Sequence, residues 1–478
     1  MKTLDRILAH AALHPERTAY RAGDESLTYG ELLDRAKRGA QELLRLDRDF
    51  AGSLPGPAPV LLDGSKSPDA AVAILACLTA GIPYVPLAPS VPKTRFESVV
   101  RQTGAGLILA GEGFPDYGTG RIPLRDFGRR GAAREMPETP PSEYAYIIFT
   151  SGSTGEPKGV PVFRESLDTF VGWISSLTPL AEMEGVTVLN QALFSFDLSV
   201  ADLFFALSNG HTEAAFRSEE ELARILPEAD AAVLTPTFLR QLLLDRDFRA
   251  ENYPRLKCVW SCGETLNPQT AKQVLAAFPD LALLNAYGPT EACSAVSAVR
   301  ITEDMTGAEL PVGVLSEAAA DIAVEDGEIV LRGPSVFGGY LGGLEGGHFR
   351  ERGQNCYRTG DLGRIEDGLL YCSGRKDAAG QIKYKGYRIE LADIESNLAS
   401  LTGVAACAVT AKRGRDGAVL AIRAFAELLP GADLSPEAVK EALAERLPDY
   451  MIPKTVRILD RLPVTENGKT DRKALESW

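Results

Sequence analysis

From residue 3 to about residue 300 the chain alternates between stretches of helical period and short apolar runs, which confines it to an α/β architecture with largely parallel sheets. Leu4, Ile7, Leu8, Ala11 and Leu13 recur at helical spacing over residues 3–17, and Pro15 ends the stretch. Residues 18–21 and 26–29 read as two short strands around a Gly-Asp turn. Thr28 with Glu31 three positions on is a capping box for a helix reaching about Leu46. Residues 60–62 form a buried strand, residues 67–78 an Ala-rich helix apolar on most sides, and residues 80–87 return to a strand.

The texture changes near residue 310, where short strands at 328–334 and 369–375 are divided by Gly-rich turns and imply a smaller β-rich lobe. Past Asp377 the chain has strands of its own at 406–409 and 418–426 and helices at 391–399 and 435–445. The expected fold class is therefore α/β. A large N-terminal domain, residues 1–377, holds two α/β lobes plus the β-rich lobe, and a small α+β C-terminal domain covers residues 378–478.

The stretch 145–159 carries the first chemistry. Tyr146 to Phe149 read as a buried strand, followed by Thr150-Ser-Gly-Ser-Thr-Gly-Glu-Pro-Lys158. Gly152 and Gly155 let backbone N–H groups converge, and Thr150, Ser151, Ser153 and Thr154 add hydroxyls. Lys158 supplies a mobile positive charge, so the loop is a candidate polyphosphate grip. No Gly-Lys-Ser/Thr closes it, so it is not the P-loop pattern.

The formal net charge of −14 argues against nucleic acid or an anionic membrane as the main partner. Seven cysteines without a Cys-x-x-Cys pair and four dispersed histidines point away from a disulfide framework or a zinc site. There is no long apolar span and no signal-peptide pattern at the start, so a cytoplasmic location is expected, and the chain is separately expected to be a monomer.

Further motifs follow in order: residues 194–200 (Phe-Ser-Phe-Asp-Leu-Ser-Val), 261–264 (Ser-Cys-Gly-Glu), 285–291 (Asn-Ala-Tyr-Gly-Pro-Thr-Glu), 357–361 (Tyr-Arg-Thr-Gly-Asp), 374–377 (Gly-Arg-Lys-Asp), 383–391, 447–453 and 467–472. Together with the grip they cover about residues 20–475 and resemble the adenylate-forming superfamily of acyl-CoA synthetases, luciferases and amino-acid adenylation domains. The finer resemblance is to D-alanine:D-alanyl-carrier-protein ligases. It implies two steps: a carboxylate attacks the α-phosphate of Mg-ATP, releasing pyrophosphate, and the phosphopantetheine thiol of a carrier protein then displaces AMP.

Carried over by motif, the resemblance makes Lys469, Thr290 and Lys158 catalytic. Thr290 would donate to the α-phosphate. Lys469 would stabilise the charge that gathers where carboxylate meets phosphorus. The nucleotide would be held by Thr150, Ser151, Gly152, Ser153, Thr154 and Gly155 at the leaving phosphates, and by Gly263, Glu264, Asn285, Ala286, Tyr287 and Gly288 around adenine. Asp361 would accept from the ribose hydroxyls, Arg375 would reinforce that side, and Glu291 would ligate Mg²⁺. Asp377 matches the hinge of a mobile C-terminal domain, although Ala378, Ala379 and Gly380 stand before Gln381 where the family generally has one residue. Ala88 also replaces a common aspartate.

Asp197 would pair with a substrate ammonium, because a carboxylate in an apolar stretch needs a partner. The pocket carried over is Leu198, Ala201, Val233, Trp260, Cys262, Ala286, Ser294 and Ala295. It fits a small neutral amino acid: alanine first, then glycine or serine, with a small β-amino acid also open. The acceptor would be a separate carrier protein, with Lys383, Lys385 and Arg388 as a basic docking patch. Two alternatives stand beside this reading: an acid:CoA ligase of the same superfamily, which would have no ammonium for Asp197, and a catalytically silent scaffold.

Overall fold

The computed structural model describes residues 2–46, 57–130, 142–152, 156–177, 183–376, 380–414, 417–429, 431–463 and 470–477, leaving aside the side chain of Lys473. The chain forms two compact units. The larger comprises Met1–Pro89, Val100–Ile148 and Gly159–Gly374, and the smaller Ser90–Val99, Phe149–Lys158 and Arg375–Trp478.

In the larger unit local chemistry sets the helix ends. The Glu31 amide donates to the Thr28 hydroxyl at 3.2 Å and the Thr28 amide to the Glu31 carboxylate at 2.9 Å, the reciprocal bonds expected at the start of the helix Tyr29–Leu46. That helix packs against Pro68–Ala80, which is buried nearly all round. Ser67 caps the second helix by accepting from the Ala70 amide, Pro68 opens it, and Gly81, at φ 77°, ends it.

An eight-stranded sheet runs in the order Ser297–Arg300, Ala282–Tyr287, Cys258–Ser261, Ala231–Leu234, Thr187–Asn190, Thr212–Ala215, Thr18–Ala22, Glu25–Thr28. Its inner neighbours pair parallel and only the two edge strands are antiparallel. Ala231–Leu234 and Cys258–Ser261 are wholly buried, hence apolar almost throughout rather than alternating. A six-stranded sheet follows the order Gly120–Pro123, Leu107–Ala110, Val60–Asp63, Tyr84–Leu87, Tyr144–Thr150, Lys158–Phe163, parallel from its first strand to Tyr144–Thr150. The β-rich part is antiparallel: Gly313–Val314, Leu369–Arg375, Gln354–Glu366, Glu328–Arg332 and Asp321–Glu325, with His348–Glu351 beside the long Gln354–Glu366. Two α/β lobes and a β-rich lobe are thus present, as the sequence indicates. The helix Leu198–Ser208 is buried at every residue and lies within the main apolar core.

The smaller unit contains the hairpin Gln381–Tyr384/Tyr387–Glu390, the helix Leu391–Ala399 and a sheet of Val404–Arg413, Val419–Leu428 and Thr455–Leu459, with helices Pro436–Ala444 and Arg472–Ser477. Ile389, Ile394, Leu398, Val409, Ile422, Val439 and Leu443 make its core. Each such side chain contributes about 1.5–3 kcal/mol on burial. Tyr387 stacks on Tyr450 with ring centres 3.7 Å apart. Among the described residues, no helix is long and apolar enough to cross a membrane.

Candidate active site

Open α/β sheets place ligands beyond the carboxyl ends of their strands, and several of the expected site residues lie there in the larger unit. Asp197 occupies the N-cap position of Leu198–Ser208 and is 7% exposed. Its side chain makes no capping bond to the helix. It accepts instead from the Thr290 hydroxyl at 2.5 Å. A cap satisfied by its own helix therefore does not account for this aspartate.

Thr290 sits in a turn that leaves the strand Ala282–Tyr287. The turn closes through the Val296 amide to the Tyr287 carbonyl at 2.8 Å and the Ala292 amide to the Pro289 carbonyl at 2.9 Å. Closure is tight enough that a Cβ on Gly288 would come within 2.4 Å of the Ala295 Cα. Cys293 and Ser294 both take positive φ, 61° and 79°, which is costly for residues with a Cβ and is held by the surrounding packing. Part of that packing is Tyr146, whose hydroxyl lies 3.3 Å from the Cys293 sulfur. Burial pushes the Cys293 thiol up to about 12, and the nearby Asp197 charge adds to the effect.

Tyr287 donates its phenol to Asp361 at 2.7 Å, which joins the expected adenine and ribose contacts. Burial and the Asp361 charge drive the Tyr287 hydroxyl far up, so it remains a donor. Asp361 is itself set by its own amide donating to Thr359, and Asn285 is anchored to the Pro311 carbonyl at 2.7 Å. Gly263, at φ 89°, follows the strand Cys258–Ser261, and the next residue, Glu264, accepts from the Thr237 amide at 2.9 Å.

Glu291 is buried, and one of its oxygens accepts from the Tyr340 hydroxyl at 2.5 Å. Tyr340 lies 3.3 Å from the Tyr357 hydroxyl, so two phenols back one carboxylate. A single oriented carboxylate fits Mg²⁺, which takes few protein ligands and fills its octahedron with phosphates and water. Among the described residues, no group of three or more His, Cys, Asp or Glu could hold a metal on its own.

The expected side-chain pocket is uniformly buried: Leu198, Ala201, Val233, Trp260, Cys262, Ala286, Ser294 and Ala295. Val233 and Trp260 are register partners on adjacent parallel strands, and Leu198 and Ala201 share a helix face. Trp260 meets Trp173 edge-on at 5.6 Å.

In the smaller unit, Ser151 donates to the Arg388 carbonyl at 2.9 Å and accepts from the Glu390 amide at 2.8 Å, so this grip hydroxyl is bound into the Tyr387–Glu390 strand. A Cβ on Gly152 would lie 2.0 Å from the Glu156 carbonyl, which restricts the position to glycine. Burial raises the Glu390 carboxyl above its usual range, opposed by the charges of Arg388, Lys158 and Arg375. Thr150 closes the strand Tyr144–Thr150. Ser153, Thr154, Gly155, Asp377, Ala378, Ala379 and Lys469 lie outside the described residues. Two residues bearing on the site had no mark in the sequence: Tyr340 sits in a Gly-rich stretch, and Tyr146 reads as strand filling. Their roles depend on partners 49 and 147 positions away.

With this geometry in place, the class follows. Residues 7–341 match the AMP-binding enzyme family and residues 393–469 its C-terminal domain. The chain belongs to the family of AMP-binding enzymes, which use ATP. It is 36% identical over 518 aligned residues, 99% of each chain, to the D-alanine–D-alanyl carrier protein ligase of Bacillus velezensis. The ligase of the same name from Listeria monocytogenes is 35% identical over 516 residues, covering 99% of this chain and 98% of that one. Among solved structures, holo-PA1221, an NRPS protein containing adenylation and PCP domains, superposes with a TM-score of 0.83 at 27% identity, covering 99% of this chain and 84% of that chain.

Proposed function

We infer that the chain activates a small neutral amino acid, alanine before glycine or serine, as its aminoacyl-adenylate and passes it to the phosphopantetheine thiol of a separate carrier protein. The observation that carries this reading is the buried Asp197 carboxylate, uncapped by its helix and bonded to Thr290. An amino-acid ammonium brought to this carboxylate would meet an acceptor of opposite charge, and a hydrogen bond between charged groups is among the stronger ones. The other pocket residues are neutral and several are small, so the side chain they accept is short and uncharged.

In the first step the amino-acid carboxylate oxygen bonds to the α-phosphorus as the bond to the bridging pyrophosphate oxygen breaks. Thr290 donates to an α-phosphate oxygen, Tyr287 and Asp361 fix adenine and ribose, and Lys469 offsets the developing charge. Glu291, aimed by Tyr340, would hold Mg²⁺, which neutralises the phosphates when bound. Lys158 with the grip loop receives the departing pyrophosphate. In the second step the carrier thiolate attacks the acyl carbon and AMP leaves. The similarity to D-alanine–D-alanyl carrier protein ligases along the whole chain supports the reading.

The test is an ATP–pyrophosphate exchange screen over both enantiomers of alanine and serine, glycine, β-alanine and several plain carboxylic acids. Exchange is expected with alanine. Exchange with plain acids alone would transfer the chain to the acid:CoA ligases, and silence with every substrate would refute the enzymatic reading.

A further inference from the structure

Lys66 follows the strand Val60–Asp63 and is 6% exposed. Its ammonium donates to the Gln191 carbonyl at 3.1 Å and lies 4.1 Å from the centre of the Phe216 ring. Gln191 opens the segment that leads to Asp197. Two more bonds fasten that segment: the Phe194 amide donates to the Gly64 carbonyl at 3.0 Å, and the Thr235 amide to the Gln191 side-chain oxygen at 3.0 Å. A Cβ on Gly64 would lie 3.0 Å from the Ser195 nitrogen, so the Lys66 loop forms a wall of the Asp197 segment.

Two fully buried carboxylates act on Lys66. Asp202 lies on the helix that Asp197 begins, and Glu213 on the strand Thr212–Ala215. Asp202 accepts from the Asn190 amide nitrogen and from the Leu203 backbone, each at 2.8 Å. Neither oxygen of Glu213 has a hydrogen-bond partner, and neither does the buried Tyr20 hydroxyl. Burial pushes Asp202 up to about 7 and Lys66 down to about 8, each opposed by the charge of the other. Glu213 is driven further up, by burial and by Asp202. Glu221 and Arg217 are the other charged groups felt by Lys66.

Buried ionic clusters rarely add stability over apolar residues of the same size. Core stability alone therefore does not explain a buried lysine at this place, whereas its bond to one short segment does. We propose that Lys66 is a positioning residue: its grip on the Gln191 carbonyl fixes the segment that presents Asp197 to the substrate ammonium, and Asp202 keeps the lysine charged. The proposal rests on the reading of Asp197 as the ammonium partner.

The test compares full-length wild type with Lys66→Met, Lys66→Met/Asp202→Asn and Lys66→Arg in ATP–pyrophosphate exchange, using whichever amino acid gives the greatest exchange. KM does not depend on the folded fraction, so a destabilised preparation still answers. Both methionine variants raise the amino-acid KM about tenfold, the scale of one hydrogen bond from a charged group, and leave the ATP KM within about twofold. The double variant recovers much of the lost thermal stability, and Lys66→Arg restores most of the amino-acid KM. A double variant with the wild-type amino-acid KM, or an arginine variant as poor as the methionine one, overturns the proposal. Asp197→Asn run alongside keeps the two ideas apart: if it leaves the amino-acid KM unchanged, the reading of Asp197 fails, whatever the Lys66 variants do.

Discussion

Thr290 donates a hydrogen bond from its hydroxyl to Asp197 across 2.5 Å, so the residue assigned to the α-phosphate and the residue assigned to the substrate ammonium are bonded to each other. On the proposed reading, an ammonium at Asp197 would share with Thr290 the charge of one carboxylate. A weaker Thr290 bond would leave its hydroxyl available to phosphate, and the two substrates would then favour each other's binding. Asp197→Asn should raise the amino-acid KM by about 10–100-fold, the worth of a charged hydrogen bond, with a far smaller change for ATP. Equal effects on both substrates, measured by exchange kinetics, would show that Asp197 has no special tie to the amino acid.

Tyr340→Phe removes only the hydroxyl that orients Glu291. The Mg²⁺ concentration giving half-maximal exchange should rise several-fold, matching the loss of about 1 kcal/mol from one hydrogen bond to a carboxylate. An unchanged Mg²⁺ titration would detach Glu291 from the metal.

Glu213 makes stability depend on pH in a definite direction. Burial and Asp202 raise its carboxyl in the folded chain, so the folded state keeps a proton that the unfolded chain has already released. That contribution is complete at low pH and is lost as pH rises toward the folded value. Glutamine has no proton to lose, so the Tm of Glu213→Gln should gain on wild type between about pH 5 and about pH 8. A Tm difference that stays flat across this range would mean that Glu213 is not protonated on folding.

Lys469→Ala should slow adenylate formation by about 10²–10³-fold, the usual loss when one donor to developing charge is removed. ATP binding, followed by equilibrium titration, should fall much less. A parallel loss of binding would make Lys469 a nucleotide anchor instead.

The sequence exposes whatever depends on near neighbours. The Thr28–Glu31 capping box, the Ser67 cap and the buried run at Tyr144–Thr150 all follow from residues within a few positions, and each forms. Asp197 was visible as a charge out of place. What it touches was not, because Thr290 is 93 positions away and its approach depends on how a sheet, a buried helix and a tight turn meet. Lys66 and Glu213 look like ordinary surface charges on paper. Only the packing of the helix Leu198–Ser208 against the sheet makes them interior. Ser151 shows a different limit: its motif marks it for phosphate, yet a strand more than two hundred residues on also claims its hydroxyl.

Cys293 places sulfur within the field of Asp197, in an enzyme proposed to hold an activated acyl group and hand it to a thiol. Such an enzyme risks acylating itself. With its thiol pushed up to about 12, Cys293 is ionised in only roughly one molecule in 10⁵ at neutral pH, and the neutral thiol is a poor nucleophile. Its dry surroundings hold this sulfur in the unreactive form. The acceptor thiol has to bring, or find, an environment wetter or more electropositive than the one around Cys293.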